Sequence, residues 1–169
     1  MDVASPARLV RRATPDDDRS AAAFLAERGA DVVARLGRLE DTARAPKLIA
    51  EDAGSMSGLL SYLIDGEACE VLTLHSAERH TGVGTMLLDA VEAIAAASGC
   101  RRLWLVTTND NTDALRFYQR RGFRLIRVDR GAVDRARETV KPSIPLIGDH
   151  GIPIRDEVLL EKAVAGERG

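Results

Sequence analysis

Arg79, Gly82 and Gly84, in the stretch "RHTGVGTMLL", set a cation and two bare backbone positions at the mouth of an amphipathic run. The first four N–H groups of a helix have no partner inside it, and the aligned peptide dipoles place roughly half a positive charge there. An anion meets both needs. The two glycines remove side chains that would hold an anion away from the amides. Residues Arg79, His80, Thr81, Gly82, Val83, Gly84 and Thr85 therefore read as a cradle for a diphosphate, with His80 beside it. Glycines so placed also serve simply to turn a chain or to let a helix approach a sheet. Two other phosphate loops are excluded. Residues 82–87 read Gly-Val-Gly-Thr-Met-Leu, which lacks the third glycine of a dinucleotide fingerprint, and no Gly-Lys-Ser/Thr follows.

A second constellation lies downstream, in "NTDALRFYQRRGF". Asn111 stands at an N-cap position, and Ala114, Tyr118 and Gly122 follow at intervals of four, with Phe123 next. That spacing puts Ala114 and Tyr118 on one helical face, one turn apart. Taken alone, Leu115, Phe117 and Tyr118 read as core contacts.

The elements that must position these residues follow from periodicity. "ARLVRRA" is a short strand. Thr14 as N-cap, Pro15 in the first helical position and Asp17 three residues after the cap predict a helix that Gly29 ends. Residues 31–46 fit either a short helix or an irregular strand. "KLIAED", "MSGLLSYLID" and "ACEVLTLHS", separated by turns, predict a three-stranded antiparallel meander. Val83, Leu87, Leu88, Val91, Ile94 and Ala95 recur at helical spacing up to Gly99. "RRLWLVT" is then a strand, residues 112–121 a helix, "FRLIRV" a strand and "EVLLEKA" a last strand. Residues 131–156, with Pro142, Pro145 and Pro153, read as a long, largely non-repetitive loop of the kind that carries function. An antiparallel first half joined to a strand–helix–strand second half predicts an α/β (α+β) fold: a mixed sheet covered by helices.

At 169 residues the chain reads as one domain over 1–169, with 1–6 and 164–169 as loose ends. A formal charge of -2, with 30% charged residues of both signs interspersed, disfavours a dedicated nucleic-acid binder. Cys69 and Cys100 lie in apolar contexts without a second Cys or His at ligand spacing, so buried thiols are expected and no metal. No stretch resembles a signal peptide or spans a bilayer, which makes the cytoplasm the expected compartment and a membrane partner unexpected.

Together the two constellations resemble the Gcn5-related N-acetyltransferase (GNAT) family. Arg79, Gly82 and Gly84 match its acyl-CoA pyrophosphate loop, and Asn111, Ala114, Tyr118, Gly122 and Phe123 match its second motif; the resemblance covers residues 68–128 closely. It implies a mostly antiparallel sheet of about six to seven strands with helices on both faces. It also implies direct transfer of an acetyl group from acetyl-CoA, as cosubstrate, to the primary amine of a small molecule or peptide. Cofactor contacts are implied for residues 79–85, for the main chain of Leu72 and Leu74 against the pantetheine arm, and for Asn111, which would otherwise simply cap its helix. Tyr118 matches the position that returns a proton to the departing CoA thiolate. With a phenol near pKa ~10 and a thiol near ~8.5, that transfer is uphill by about 2 kcal/mol.

The opposite proton is harder to move, because freeing the lone pair of an alkyl amine of pKa ~10.4 at pH 7 costs about 4 to 5 kcal/mol. Glu70 is the candidate base. By the two-residue strand repeat it shares a face with Leu72 and Leu74. It lies two residues closer to the loop than the family's strand glutamate, a position held here by Ala68. His75 is a weaker candidate. Residues before 56 and around 141–156 should shape the acceptor side, and the sheet edges suit a homodimer. A non-catalytic acyl-CoA-binding or partner-binding module of the same fold is the alternative.

Overall fold

The computed structural model describes residues 8–166. In chain order its elements are β1 (Leu9–Arg12), α1 (Asp18–Ala26), β2 (Val32–Arg35), β3 (Arg38–Asp41), β4 (Lys47–Asp52), β5 (Ser55–Asp65), β6 (Ala68–Ser76), α2 (Val83–Ala97), β7 (Arg102–Thr108), α3 (Thr112–Arg120), β8 (Arg124–Asp129), α4 (Ala132–Thr139) and β9 (Glu157–Ala163). Seven strands form one sheet in the order β1-β4-β5-β6-β7-β9-β8. Among the described residues only β6 and β7 pair in parallel, joined through α2; the other pairs are antiparallel. This is the expected α/β, mixed and mostly antiparallel, architecture.

The two faces of the sheet are covered separately. α2 presents Val83, Leu87, Leu88, Val91 and Ala95 to Leu48, Leu60, Tyr62, Val71 and Leu105, and Tyr118 of α3 joins the same cluster. Ala21, Phe24 and Leu25 of α1 pack on Leu59, which points the other way from Leu60 because successive strand residues alternate. Gly58 allows the closest approach: a Cβ there would lie 2.4 Å from Val83 Cγ1 and 3.0 Å from the His75 carbonyl oxygen. The first turn of α2 is thereby seated directly on β5.

Several sequence expectations change. Residues 31–46 form neither a helix nor an irregular strand but a separate hairpin, β2 pairing with β3. Its two-residue turn places Leu36 and Gly37 at φ 49° and 74°, and a leucine is an unusual occupant of such a position. The loop 131–156 contains α4, whose Ala132, Val133 and Ala136 are buried. The predicted helix at 14–29 opens with a 3-10 turn, Pro15–Asp17, and the Asp17 carboxylate accepts the Thr14 N–H at 2.7 Å. Val164, expected to open a loose end over 164–169, is instead buried and donates its N–H to the Arg101 carbonyl. The loose end expected at 1–6 lies outside the described residues, as do 167–169.

Candidate active site

β6 is held by β5 along its whole length, with Ser76 opposite Gly58, but its pairing with β7 runs only from Ala68 opposite Arg102 to Val71 opposite Leu105. β7 turns away to pair with β9 as far as Thr108. From Leu72 to Ser76 one edge of β6 therefore has no strand beside it among the described residues. Its backbone groups there are free to pair with an extended ligand.

Opposite this edge, the loop before α2 and one face of α3 enclose a cleft of about 640 Å³. It is lined by Leu74 of β6, by residues 79–85, and by Ala114, Phe117, Tyr118 and Arg121 among others. His80 and Gly82 have φ values of 61° and 82°, and this left-handed turn points the chain into the helix. Met86 is the first residue whose N–H is taken by the helix, donating to Gly82 at 3.1 Å; among the described residues the amides of 80–85 donate to no protein acceptor. The two glycines do different work. Gly82 supplies the left-handed conformation, while a Cβ on Gly84 would lie 3.2 Å from Phe117 Cζ, so Gly84 lets α3 close on the first turn of α2. Amides at and just before the first turn of a helix, with no protein acceptor among the described residues, have the polarity to hold an anion.

Arg79 reaches across the mouth of the cleft, Nη1 donating to Asp113 Oδ2 at 2.9 Å, and stays 72% exposed. The Thr81 hydroxyl donates to the Glu78 carbonyl, and Arg8 donates to the Thr81 carbonyl. Arg121 escaped the sequence reading. It donates from Nε to Thr85 Oγ1 at 3.0 Å and stacks on Phe117 at 3.6 Å from the ring centroid. Its signal was the arginine-rich end of α3, "RFYQRRG", which reads as a solvated surface until the fold turns it toward the cleft. Asn111 caps α3, its Oδ1 accepting the Ala114 N–H at 3.2 Å, and does not line the cleft.

Tyr118 is 7% exposed and is held edge-on by Phe117 and Phe123, with ring centroids 5.2 and 5.4 Å away. Its hydroxyl makes no hydrogen bond among the described residues. Burial pushes the phenol above its ordinary pKa, so it stays protonated through the neutral range.

Glu70 is not where the two-residue repeat puts it. Ser61 faces Thr73 and Tyr62 faces Val71, so Leu72 is the extra residue of a β-bulge. The bulge reverses the alternation: Leu74 pairs with Leu60 on the α2 face, whereas Glu70 pairs with Leu63 and points to the face carrying α1 and the hairpin. The structure thus brings Tyr118, Leu74 and residues 79–85 together and puts Glu70 behind the sheet. Leu72 does not line the cleft. There Glu70 is 5% exposed and meets Arg35 of β2, Nη2 donating to Oε2 at 2.6 Å and Nε lying 2.5 Å from Oε1. Burial raises its carboxyl to about 7, against the lowering pull of Arg35. His75, opposite Leu59, is on the same face, and burial, aided by Arg28, holds its imidazole below the usual range.

Cys69 and Cys100 are buried free thiols. Among the described residues no cluster of three or more His, Cys, Asp or Glu could hold a metal, and no helix is long and apolar enough to cross a membrane.

Residues 11–123 match the model of the acetyltransferase (GNAT) family. The uncharacterized protein YdhI of Bacillus subtilis (strain 168) is 43% identical over 113 residues, covering 67% of this chain and 70% of that one. Among solved structures, an IAA acetyltransferase from Bacillus cereus ATCC 14579 aligns with a TM-score of 0.68 at 22% identity, over 93% of this chain and 99% of that one. A GNAT family acetyltransferase from Elizabethkingia anophelis, with acetyl-CoA bound, aligns with a TM-score of 0.66 at 20% identity, over 92% and 97% of the two chains. At these identities the two structures speak for the fold.

Proposed function

Because the chain belongs to the acetyltransferase (GNAT) family, we propose that it is an N-acetyltransferase, moving the acetyl group of acetyl-CoA to a primary amine by direct attack. The observation that carries this reading is the row of unpaired amides at residues 80–85 lining one cleft with Tyr118. The amides hold the diphosphate, and Arg79 exchanges Asp113 for it. The open edge of β6 at Leu72 and Leu74 pairs with the pantetheine arm as an added strand would. We take the described sheet as one domain of this kind, since β9, from the end of the chain, lies between β7 and β8.

The amine nitrogen bonds to the thioester carbon, the C–S bond breaks, the nitrogen gives up a proton and the sulfur gains one. Tyr118 supplies the sulfur's proton. The same burial that makes its phenol a reluctant donor also disfavours a bare thiolate beside it, so the modest uphill step of about 2 kcal/mol expected from ordinary values is not enlarged by the whole shift. Glu70 takes the nitrogen's proton from the opposite side of the sheet, just before β6 and β7 part. A carboxyl raised to about 7 is well matched to that work near neutral pH.

The acceptor, a small molecule or a peptide, enters from the face bearing α1, the hairpin and the segment after α4. The test is free-thiol release from acetyl-CoA across a panel of amines, amino acids and peptides. Amine-dependent release is expected. Saturable acetyl-CoA binding without release from any amine would instead identify a non-catalytic acyl-CoA-binding module.

A further inference from the structure

The hairpin β2–β3 belongs to neither the main sheet nor its helices, yet it drives a charged side chain into the protein. Arg35 is 7% exposed, buried opposite a Glu70 that is itself 5% exposed, and the two residues are 35 positions apart. Withdrawing two charges from water is costly unless geometry and further hydrogen bonds offset it. Here they are offset only in part: among the described residues Arg35 Nη1 has no hydrogen-bond partner, and Arg35 Nε and Glu70 Oε1, though 2.5 Å apart, are not aligned as a hydrogen bond. A hairpin needed only for stability would be better served by an apolar residue at position 35. Two further contacts fix its placement: the Leu36 N–H donates to both carboxylate oxygens of buried Glu157 at 3.2 Å, and Lys141 Nζ donates to the Val32 carbonyl at 2.6 Å. The turn residue Leu36 is thus tied to β9 while Arg35 beside it is tied to β6.

We propose that Arg35 is a positioning residue: the hairpin delivers its guanidinium to Glu70 and holds that carboxylate in one orientation on the acceptor side, where β6 and β7 are about to part. The inference rests on the acetyltransferase reading above and assigns the hairpin, which carries no family motif, a part in the same site. Charged groups reach Glu70 from both hairpin strands. Arg35 on β2 and Arg38 on β3 favour its ionised form and Glu40 on β3 opposes it, Glu40 also lying 3.4 Å from Arg35. Glu157 on β9 shares the field of Arg35. The Arg35 fork is the only one of these groups in hydrogen-bond contact with Glu70 among the described residues.

Two variants and two readouts test this. The midpoint of Glu70 is followed by 13C NMR of the glutamate carboxyls, its resonance assigned by its loss in Glu70→Gln. The pH profile of acetyl transfer is followed at saturating acetyl-CoA. Arg35→Gln removes the charge, so the Glu70 midpoint should rise by about one unit or more and turnover at pH 6 should fall about tenfold. Arg35→Lys keeps a charge but not a planar guanidinium lying against both carboxylate oxygens, so the midpoint should stay near the wild-type value while kcat falls about tenfold. Acetyl-CoA affinity should change less than about twofold in both. A Glu70 midpoint in Arg35→Gln that coincides with wild type overturns the proposal. So does a wild-type kcat in Arg35→Lys, which decides the matter if the glutamine variant does not fold. A wild type that acetylates no amine removes the acetyltransferase reading instead, and the carboxyl titration still reports on the Arg35–Glu70 contact.

Discussion

Gly58→Ala should loosen the junction between β5 and the first turn of α2 and, through it, the cleft proposed to take acetyl-CoA. The added methyl would sit 2.4 Å from Val83 Cγ1, 3.0 Å from the His75 carbonyl oxygen and 3.1 Å from Leu87 Cδ1. Val83 is stiff at χ1 and 2% exposed, and the carbonyl belongs to β6, so neither neighbour can simply turn aside. The helix must move. Overpacking of this kind costs about 1–3 kcal/mol, partly offset by about 0.5 kcal/mol from the lower chain entropy of the unfolded alanine variant. A net loss of about 1.5 kcal/mol corresponds to a Tm about 3–6 °C lower for a chain of this size. Because the displaced turn carries the amides of 83–85, acetyl-CoA affinity should fall as well. Calorimetric melting and titration of Gly58→Ala, Val83→Ala and the double variant read both effects. Val83→Ala alone should cost about 2 kcal/mol, and the double variant at least about 1 kcal/mol less than the sum of the singles, since the closest clash is gone. A Gly58→Ala protein that melts at or above wild type with unchanged affinity would refute the packing argument.

Tyr118→Phe should bind acetyl-CoA normally, keep its unfolding free energy within about 1 kcal/mol because no hydroxyl partner is lost among the described residues, and turn over about a hundredfold more slowly; unchanged turnover in steady-state kinetics would exclude the phenol as the proton donor. Asn111→Ala removes the cap from the Ala114 N–H and should cost about 1 kcal/mol in denaturant unfolding; an unchanged midpoint would show the cap to be idle. Wild-type kcat/KM should climb with pH through about 7 as Glu70 ionises, and Glu70→Gln should lose that limb while keeping acetyl-CoA affinity; an identical limb in the variant would assign it to another group.

The central meander, α2, β7 and β9 were legible because each is long, regularly patterned and bounded by its own turn residues. So were the loop amides and Tyr118, since their motifs lie within single local segments. What escaped depends on partners far away in the chain. The bulge at Leu72 exists only in the register of β6 against β5, and with it goes the face of Glu70. The β2–β3 turn carries Leu36 where glycine or asparagine would have announced it. α4 spans eight residues among prolines and glycines, too few for a helical period to stand out. Gly84 looked like an opening for an anion, but its bareness is required by Phe117, more than thirty positions on.

The most direct test of the anion cradle is a 1H–15N NMR titration of the protein with acetyl-CoA. Saturable shifts that are largest at the backbone amides of His80, Thr81, Gly82, Val83, Gly84 and Thr85 are predicted. Acetyl-CoA binding that leaves those six amides unmoved, or no binding at all, would contradict the account.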